Sequence, residues 1–368
     1  MSRSDARADA PETAPVVCFP AAGIKRSATG LGQVALPYPN GWFAACFSRE
    51  LKHGAVLGVP FMGQEIVIYR TDAGHVRAID PYCPHLGAHL GYGGKVDGET
   101  LVCPFHGLGF DRDGVCVRTG DGRKPPAAAL TQRFVREVDG VVFVWRNGDD
   151  SPPSWDVPSL DCEGYSQPRH ETFHLQGLCQ DMTENSADPL HFSYLHGLQD
   201  VSTCHQEDGP RMIYTMRAKV FGQSVNMRMV CHGIGYAVGE ASFERLGLVA
   251  RTQALGTQVE PLAWTFRMID TIRVERVARL PRVLRRAVYA LLLLYVHRWF
   301  VKTVRDDFAV WSNRCFLARP KLVSGEANMA VYRRWTAQFY PNDSNRNRHD
   351  DHVAAASAAF SVRDPSEL

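Results

Sequence analysis

The sequence predicts an α+β chain, with an all-β N-terminal region followed by a region of strands packed with long helices on one face. Three observations carry this. From Trp42 to Trp145 short apolar runs alternate with turn residues. Residues 211 to 275 return to strand-like runs after a helical stretch around residue 190. Beyond Pro281, apolar residues recur at helical spacing as far as Trp311.

The first region is read from its hairpins. Glu65–Tyr69 and His75–Ile79 are β-prone runs joined by the turn Thr71–Gly74. Phe134–Val138 and Val141–Trp145 flank Asp139-Gly140, a dipeptide that accepts positive φ at both turn positions. Residues 1–35 are rich in Ala, Pro, Ser and Gly without a sustained period and are expected to form a loose arm. Asn147–Pro153 is turn-rich, which divides the folded chain into domains at 36–150 and 151–345, with a polar tail at 346–368. Asp181–His196 lacks glycine and reads as helical, and Pro189 should kink or restart it. Arg211–Val220 reads as a strand.

The last long helix should begin at Pro281, carrying Leu284, Val288, Leu291, Leu292, Tyr295 and Trp299. Its most apolar run, Ala287–Val296, is about half of the ~20 residues needed to span a bilayer, so a helix at least partly buried is expected. A basic-apolar segment such as Arg282–Trp299 can lie on a membrane as a peripheral contact. The simpler expectation is that Leu291 and Tyr295 face the core.

Composition narrows the function classes. With 41 Lys+Arg against 39 Asp+Glu the net charge is +2, so no global field draws the chain to nucleic acid or to an anionic membrane. Ten cysteines in 368 residues are too sparse for a disulfide scaffold. No secretory signal is visible in the first residues, and a cytoplasmic chain with reduced thiols is expected.

Two of those cysteines sit beside histidines. Cys83-Pro-His85 and Cys103-Pro-Phe-His106 form C-x-H, seventeen intervening residues, then C-x-x-H. Two short loops that each deliver one thiolate and one imidazole suit a [2Fe–2S] cluster with two Cys on one iron and two His on the other. Zinc motifs instead pair Cys with Cys and His with His. His89 breaks the symmetric two-plus-two arrangement and is left unliganded, and Cys116 reads as a small buried hydrophobe.

A second constellation lies in Glu184-Asn-Ser-Ala-Asp-Pro-Leu-His-Phe-Ser-Tyr-Leu-His196. His191 and His196, five residues apart, would point about 140° apart on a regular helix, so the helix should end or distort between them. Two His and one carboxylate with open positions make the facial triad of non-haem Fe(II) sites. An upstream one-electron cluster makes such a site meaningful, because it needs something to reduce. Asp306 and Asp307 lie on the last long helix about 100° apart, so only one can face a given iron.

Tyr82–His89 and Cys103–Gly107 resemble the Rieske domain of the Rieske non-haem iron oxygenases, although Leu108-Gly109 stands where many members have Trp. Residues 184–196 are similar to their E-N-x-x-D-x-x-H-x₄-H motif. Asp307-Phe-Ala-Val-Trp311 resembles the D-x₃-W segment of the steroid-acting branch, as do Asn40-Gly-Trp42 and Arg333–Tyr340. The nearest likeness is to the 3-ketosteroid 9α-hydroxylases and cholesterol 7-desaturases. The resemblance implies a Rieske [2Fe–2S] domain followed by a helix-grip (START-like) catalytic domain. It implies Cys83, His85, Cys103 and His106 as cluster ligands, and His191, His196 and Asp307 as Fe(II) ligands. Asp188 is then the bridge for electrons from a neighbouring subunit's cluster, in a homotrimer, and Asn185 stands behind the metal ligands.

The implied activity is a terminal oxygenase that uses O₂ to hydroxylate or desaturate a hydrophobic polycyclic substrate such as a steroid or sterol. An oxidative cyclase or demethylase shares the same iron chemistry. A pure electron carrier is the reading from another class, and the His191–His196–Asp307 set argues against it. Gly233–Gly239 lacks the context of a dinucleotide loop, so electrons must come from a separate NAD(P)H-dependent reductase, directly or through a ferredoxin.

Overall fold

The computed structural model describes residues 35–220, 222–324 and 326–341. The N-terminal arm lies almost wholly, and the polar tail wholly, outside the described residues.

Three small antiparallel sheets build the first region. Gly41–Phe47 pairs with Val141–Arg146, which pairs with Val135–Val138. Val56–Phe61, Gln64–Arg70, Val76–Ile79 and Gln132–Arg133 make a second sheet. Lys95–Asp97, Thr100–Val102, Gly109–Phe110 and Cys116–Arg118 make the third. The Asp139-Gly140 hairpin forms as expected, with φ of 49° and 83° at its two turn residues.

The second region is one seven-stranded antiparallel sheet. Its order is Arg169–Gln176, Ala263–Val274, Leu248–Glu260, Tyr236–Phe243, Gln223–His232, Arg211–Val220, Gln199–Asp208. Strict alternation shows why these segments are strands. In Arg211–Val220, Met212, Tyr214, Met216 and Ala218 are buried while Arg211, Thr215 and Arg217 face water. Gly233–Gly235 is a turn between the antiparallel strands Gln223–His232 and Tyr236–Phe243, so this glycine run leads into a strand and not into a helix.

The two regions share a core. Trp42, Ala44, Phe47 and Phe143 pack against Tyr236, Val238, Leu255 and Ile269 of the large sheet. Gly235 has no side chain because Phe43 lies where a Cβ would stand.

A 30-residue helix, Arg282–Trp311, crosses the large sheet. Tyr289, Leu293, His297, Asp307 and Trp311 face inward. Leu291 and Tyr295 do not face the core as expected; they are 71% and 74% exposed. The N-terminal half of the helix is apolar on nearly every side, and Tyr289 and Leu293 take the inward direction. The short helix Ala327–Thr336 closes the far side of the domain, with Tyr332 and Trp335 fully buried.

Candidate metal centres

The two cysteine loops are built alike. In the first, Cys83 N–H donates to the Ala88 carbonyl and Gly87 N–H to the Cys83 carbonyl, at 2.8 and 2.9 Å. In the second, Cys103 N–H donates to Leu108 and Gly107 N–H to Cys103, at 2.8 and 3.1 Å. Gly87 and Gly107 take φ of 73° and 67°, and a Cβ on Gly107 would sit 2.7 Å from the Gly120 Cα, so both turns demand glycine. Each loop buries its cysteine and exposes its histidine. The His85 and His106 rings meet edge to face with centroids 4.9 Å apart.

Burial raises the Cys83 thiol pKa, the N–H groups of His85 and Leu86 pull it down, and the neighbouring Cys103 sulfur raises it further. Two sulfurs converging in a dry pocket beneath two imidazoles suit a bound cationic cluster that would hold both as thiolates. His89 is turned elsewhere: its Nδ1 accepts from Gly91 N–H at 3.1 Å and its Nε2 lies 3.4 Å from Glu65. Cys116 is buried among Leu101, Phe110 and Leu130, as expected of a small hydrophobe.

The second constellation folds from local rules. Gln180–Glu184 is helical and Asn185–Ala187 continues as a tighter turn. Pro189 then restarts the chain as the first residue of the helix Pro189–Tyr194. Asp188 caps that helix, its Oδ1 accepting from Leu190 and His191 N–H at 2.9 and 3.1 Å. The helix ends at Tyr194, so His196 escapes the helical register and swings back towards His191.

His191, His196 and Asp307 offer ligand atoms that all lie within 4.8 Å of one another. The two Nε2 atoms are 3.1 Å apart, and Asp307 approaches them at 3.7 and 3.5 Å. His191 Nδ1 lies 2.9 Å from the Asp188 carbonyl, a contact that places its proton on Nδ1 and leaves Nε2 bare for a metal. Burial lowers the His191 pKa, which favours the neutral imidazole that binds metal. Asn185 Nδ2 donates to Asp307 Oδ1 at 3.0 Å. Two imidazoles and a buried carboxylate aimed at one point fit a divalent iron.

Asp188, Asn185, His191, His196 and Asp307 are thus brought to one place. Glu184, at the start of the same segment, is 0% exposed. Arg314 and Arg333 donate to its Oε1 at 2.5 and 2.8 Å, and Asp181 joins the same group 3.6 Å from Arg314. This clamp fixes the metal-bearing segment to the C-terminal helix, and Tyr340 reinforces it by donating to Gln180 at 2.6 Å.

A cavity of about 240 Å³ opens beside the three donors. Its walls come from alternate residues of four strands, among them Val225, Met227 and Met229, and Ala250, Thr252 and Ala254. Phe266 and Met268 form the floor, and Phe300, Thr303 and Val304 of the long helix complete it. Their facing a cavity depends on the sheet being gripped by that helix.

A small electron-carrier fold on the same chain as a two-histidine, one-carboxylate site defines the Rieske non-haem iron oxygenases. Residues 41–134 match the Rieske [2Fe–2S] domain and residues 144–340 match the 3-ketosteroid 9α-hydroxylase C-terminal domain, and the chain belongs to that family. It is an oxidoreductase that uses O₂, a [2Fe–2S] cluster and a mononuclear iron.

Its sequence is 30% identical to cholesterol 7-desaturase of Bombyx mori, over 84% of this chain and 71% of that one. It is 24% identical to a probable 3-ketosteroid-9-alpha-monooxygenase oxygenase component of Rhodococcus rhodochrous, over 82% and 80%. In fold it is similar to Pseudomonas putida CBB5 NdmA solved with caffeine, at TM-score 0.64, 16% identity and 80% and 89% coverage. Dicamba monooxygenase bound to dicamba gives TM-score 0.59 at 17% identity, over 86% and 98%.

Proposed function

We propose that this chain is the terminal oxygenase that hydroxylates or desaturates a steroid or sterol. The observation that carries the reading is the cavity itself: Met, Phe, Val and Ala walls ending on the cluster of His191, His196 and Asp307. Relatives named for acting on cholesterol and on 3-ketosteroids support the same substrate class. When bound, the cluster delivers electrons singly and the mononuclear iron activates O₂ for attack on a substrate C–H bond.

The chain's own residues do the rest. Cys83, His85, Cys103 and His106 would hold the cluster, and His191, His196 and Asp307 would hold the iron. Asn185 orients the Asp307 carboxylate. Phe266, Met268, Phe300 and Val304 exclude water and place an apolar ring system against the metal. Ser186, Thr252 and Thr303 bring uncharged hydroxyls to the wall, able to orient a substrate oxygen.

As an oxygenase component the chain works with a separate reductase or ferredoxin. We further propose a cytoplasmic homotrimer in which each cluster serves a neighbour's iron. His85 and His106 are exposed and rimmed by Tyr82, Leu86, Tyr92 and Phe105, all exposed apolar groups. Around Asp188, Leu190 and Tyr194 are exposed too, Tyr194 at 95%. Two such patches on one chain suit head-to-tail contacts that close into a ring.

The test is turnover of a steroid panel with NADH, a Rieske reductase and ¹⁸O₂, alongside iron quantitation. The expected result is about three irons per chain, two in the cluster and one mononuclear, with an oxygenated or desaturated steroid product. About two irons and no product would leave an electron carrier.

A further inference from the structure

Over its N-terminal half the long helix shows an apolar stripe that no other element covers among the described residues. Leu284, Ala287, Leu291 and Tyr295 follow one another at helical spacing and are all exposed. Tyr289 and Leu293, on the opposite face, make the packing against the sheet. This inverts the usual arrangement of a surface helix, whose exposed face is polar.

The same stretch carries charge of one sign. Residues 276–305 contain eight Lys and Arg and no Asp or Glu. Arg282, Arg285 and Arg286 line a cleft of about 570 Å³, closed on its other side by Gly164–Gln167, and no lining residue is acidic. Arg285 donates to the Ala278 carbonyl at 3.1 Å, which steadies one of the three.

By length and composition this helix is long and apolar enough to cross a membrane. It cannot do so in this fold, because its C-terminal half buries Asp307 and Trp311 in the catalytic domain. An apolar face flanked by arginines on a helix that cannot cross is the pattern of a segment lying in the plane of a lipid interface.

We propose that the Arg282–Arg298 face docks on an anionic lipid surface. Leu284, Leu291 and Tyr295 enter the boundary between headgroups and acyl chains, and Arg282, Arg285 and Arg286, on the side of the helix that carries Tyr289 and Leu293, take lipid phosphates in their cleft above the submerged stripe. Charge selects this occupant. A second copy using the same segment would set Arg282, Arg285, Arg286 and Arg298 against their own copies, whereas an anionic membrane neutralises them.

The face also leads to the site. One turn beyond Tyr295 stands Trp299, which with Thr303 borders both the catalytic cavity and the side opening at Leu195–Leu198. A docked helix thus sets the cavity close to the lipid that dissolves an apolar substrate. This last benefit rests on the steroid reading; the docking itself does not.

The experiment is flotation of the full-length holoenzyme with vesicles of phosphatidylcholine alone or mixed with phosphatidylglycerol, across a salt series and without substrate. Binding to the mixed vesicles only, weakening as salt rises, is expected. Arg282→Gln, Arg285→Gln and Arg286→Gln together should weaken it about a hundredfold, at about fivefold per charge. The pair Leu291→Asp and Tyr295→Asp should abolish it. Both variants should retain the cluster's EPR signal, full iron and turnover of substrate presented in detergent.

Equal binding to neutral vesicles, or indifference to either variant, would overturn the proposal. So would a change of oligomeric state in the Leu291/Tyr295 variant, which would make the face a contact between copies. Competition by inorganic phosphate that leaves vesicle binding untouched would remove the arginine cleft from the surface. Loss of steroid turnover in detergent with vesicle binding intact would count against the steroid reading alone.

Discussion

Asn185 and Asp307 lie 122 residues apart in the chain and meet through a 3.0 Å hydrogen bond, Nδ2 to Oδ1. The bond ties the segment bearing both histidines to the helix bearing the carboxylate. It consumes one Oδ1 acceptor site and fixes the plane of the carboxylate towards the two Nε2 atoms. Asn185→Leu should therefore lower iron retention at the mononuclear site by about 10–100-fold while the cluster signal stays unchanged. Iron titration into the apo site, read beside the EPR of the cluster, measures this. Unaltered iron affinity would show the hydrogen bond to be incidental.

The cluster assignment predicts a rhombic reduced-state EPR signal of the Cys₂His₂ type from anaerobically purified protein. His106→Cys should shift or abolish it, because a thiolate replaces a neutral imidazole and lowers the potential. His89→Ala should leave the signal in place, since the His89 ring is engaged by Gly91 and Glu65. A signal that follows His89 instead would exchange the two residues' roles.

Asp188 does two separable things. Its Oδ1 caps the helix that carries His191, and in the proposed ring its charge would link two centres across a subunit contact. Asn caps a helix nearly as well as Asp, so Asp188→Asn should keep both metal sites yet stall turnover. Asp188→Ala should in addition lose about 1 kcal/mol of stability. Single-turnover kinetics, iron content and sedimentation of the two variants distinguish the roles. A fully active monomer, of the wild type or of Asp188→Asn, would sink the ring arrangement.

What the sequence could show was whatever short-range rules decide. Pro189 after Asp188 marks a helix restart, and the break before His196 follows from the angle that five residues subtend. The choice of Asp307 over Asp306 rested on likeness to a family motif, and Trp311, one turn on, agrees with it because it shares the buried face. Glu184 was opaque because its partners, Arg314 and Arg333, lie 130 and 149 residues away. The outward turn of Leu291 and Tyr295 was opaque for another reason. A helix apolar on most sides has no period that says which side is covered, and only the placement of Tyr289 and Leu293 on the sheet decides it.

Asp181 gives the clamp a pH signature. Burial pushes its pKa up to about 7, against the pull of Arg314. In the unfolded chain it titrates near 4, so between about pH 4 and 7 the folded state holds the extra proton and stability falls as pH rises. Thermal unfolding of wild type and Asp181→Asn across this range should show the wild type losing about 2–4 kcal/mol relative to the variant by pH 8. Parallel profiles would mean that Arg314 keeps Asp181 ionised throughout.

The adjacent acids Asp306 and Asp307 test the catalytic assignment as a whole. Asp307 is buried, lies 3.7 and 3.5 Å from the Nε2 atoms of His191 and His196, and shares its face with Phe300, Val304 and Trp311 on the cavity wall. Asp306 is exposed and borders the side opening with Lys302. A buried carboxylate needs a nearby cation to remain charged, and no Lys or Arg lines this cavity. An iron held by the two histidines would supply that cation, and Asp307→Ala would then remove the carboxylate of the candidate ligand set. Iron should fall from about three to about two per chain, the cluster signal should persist and oxygenation should cease. Asp306→Ala should keep all the iron and most of the activity, since it removes a charge already solvated by water. If the missing iron tracked Asp306 instead, the helix would sit about 100° from its present rotation, and with it would go the inward face that carries Asp307 and Trp311.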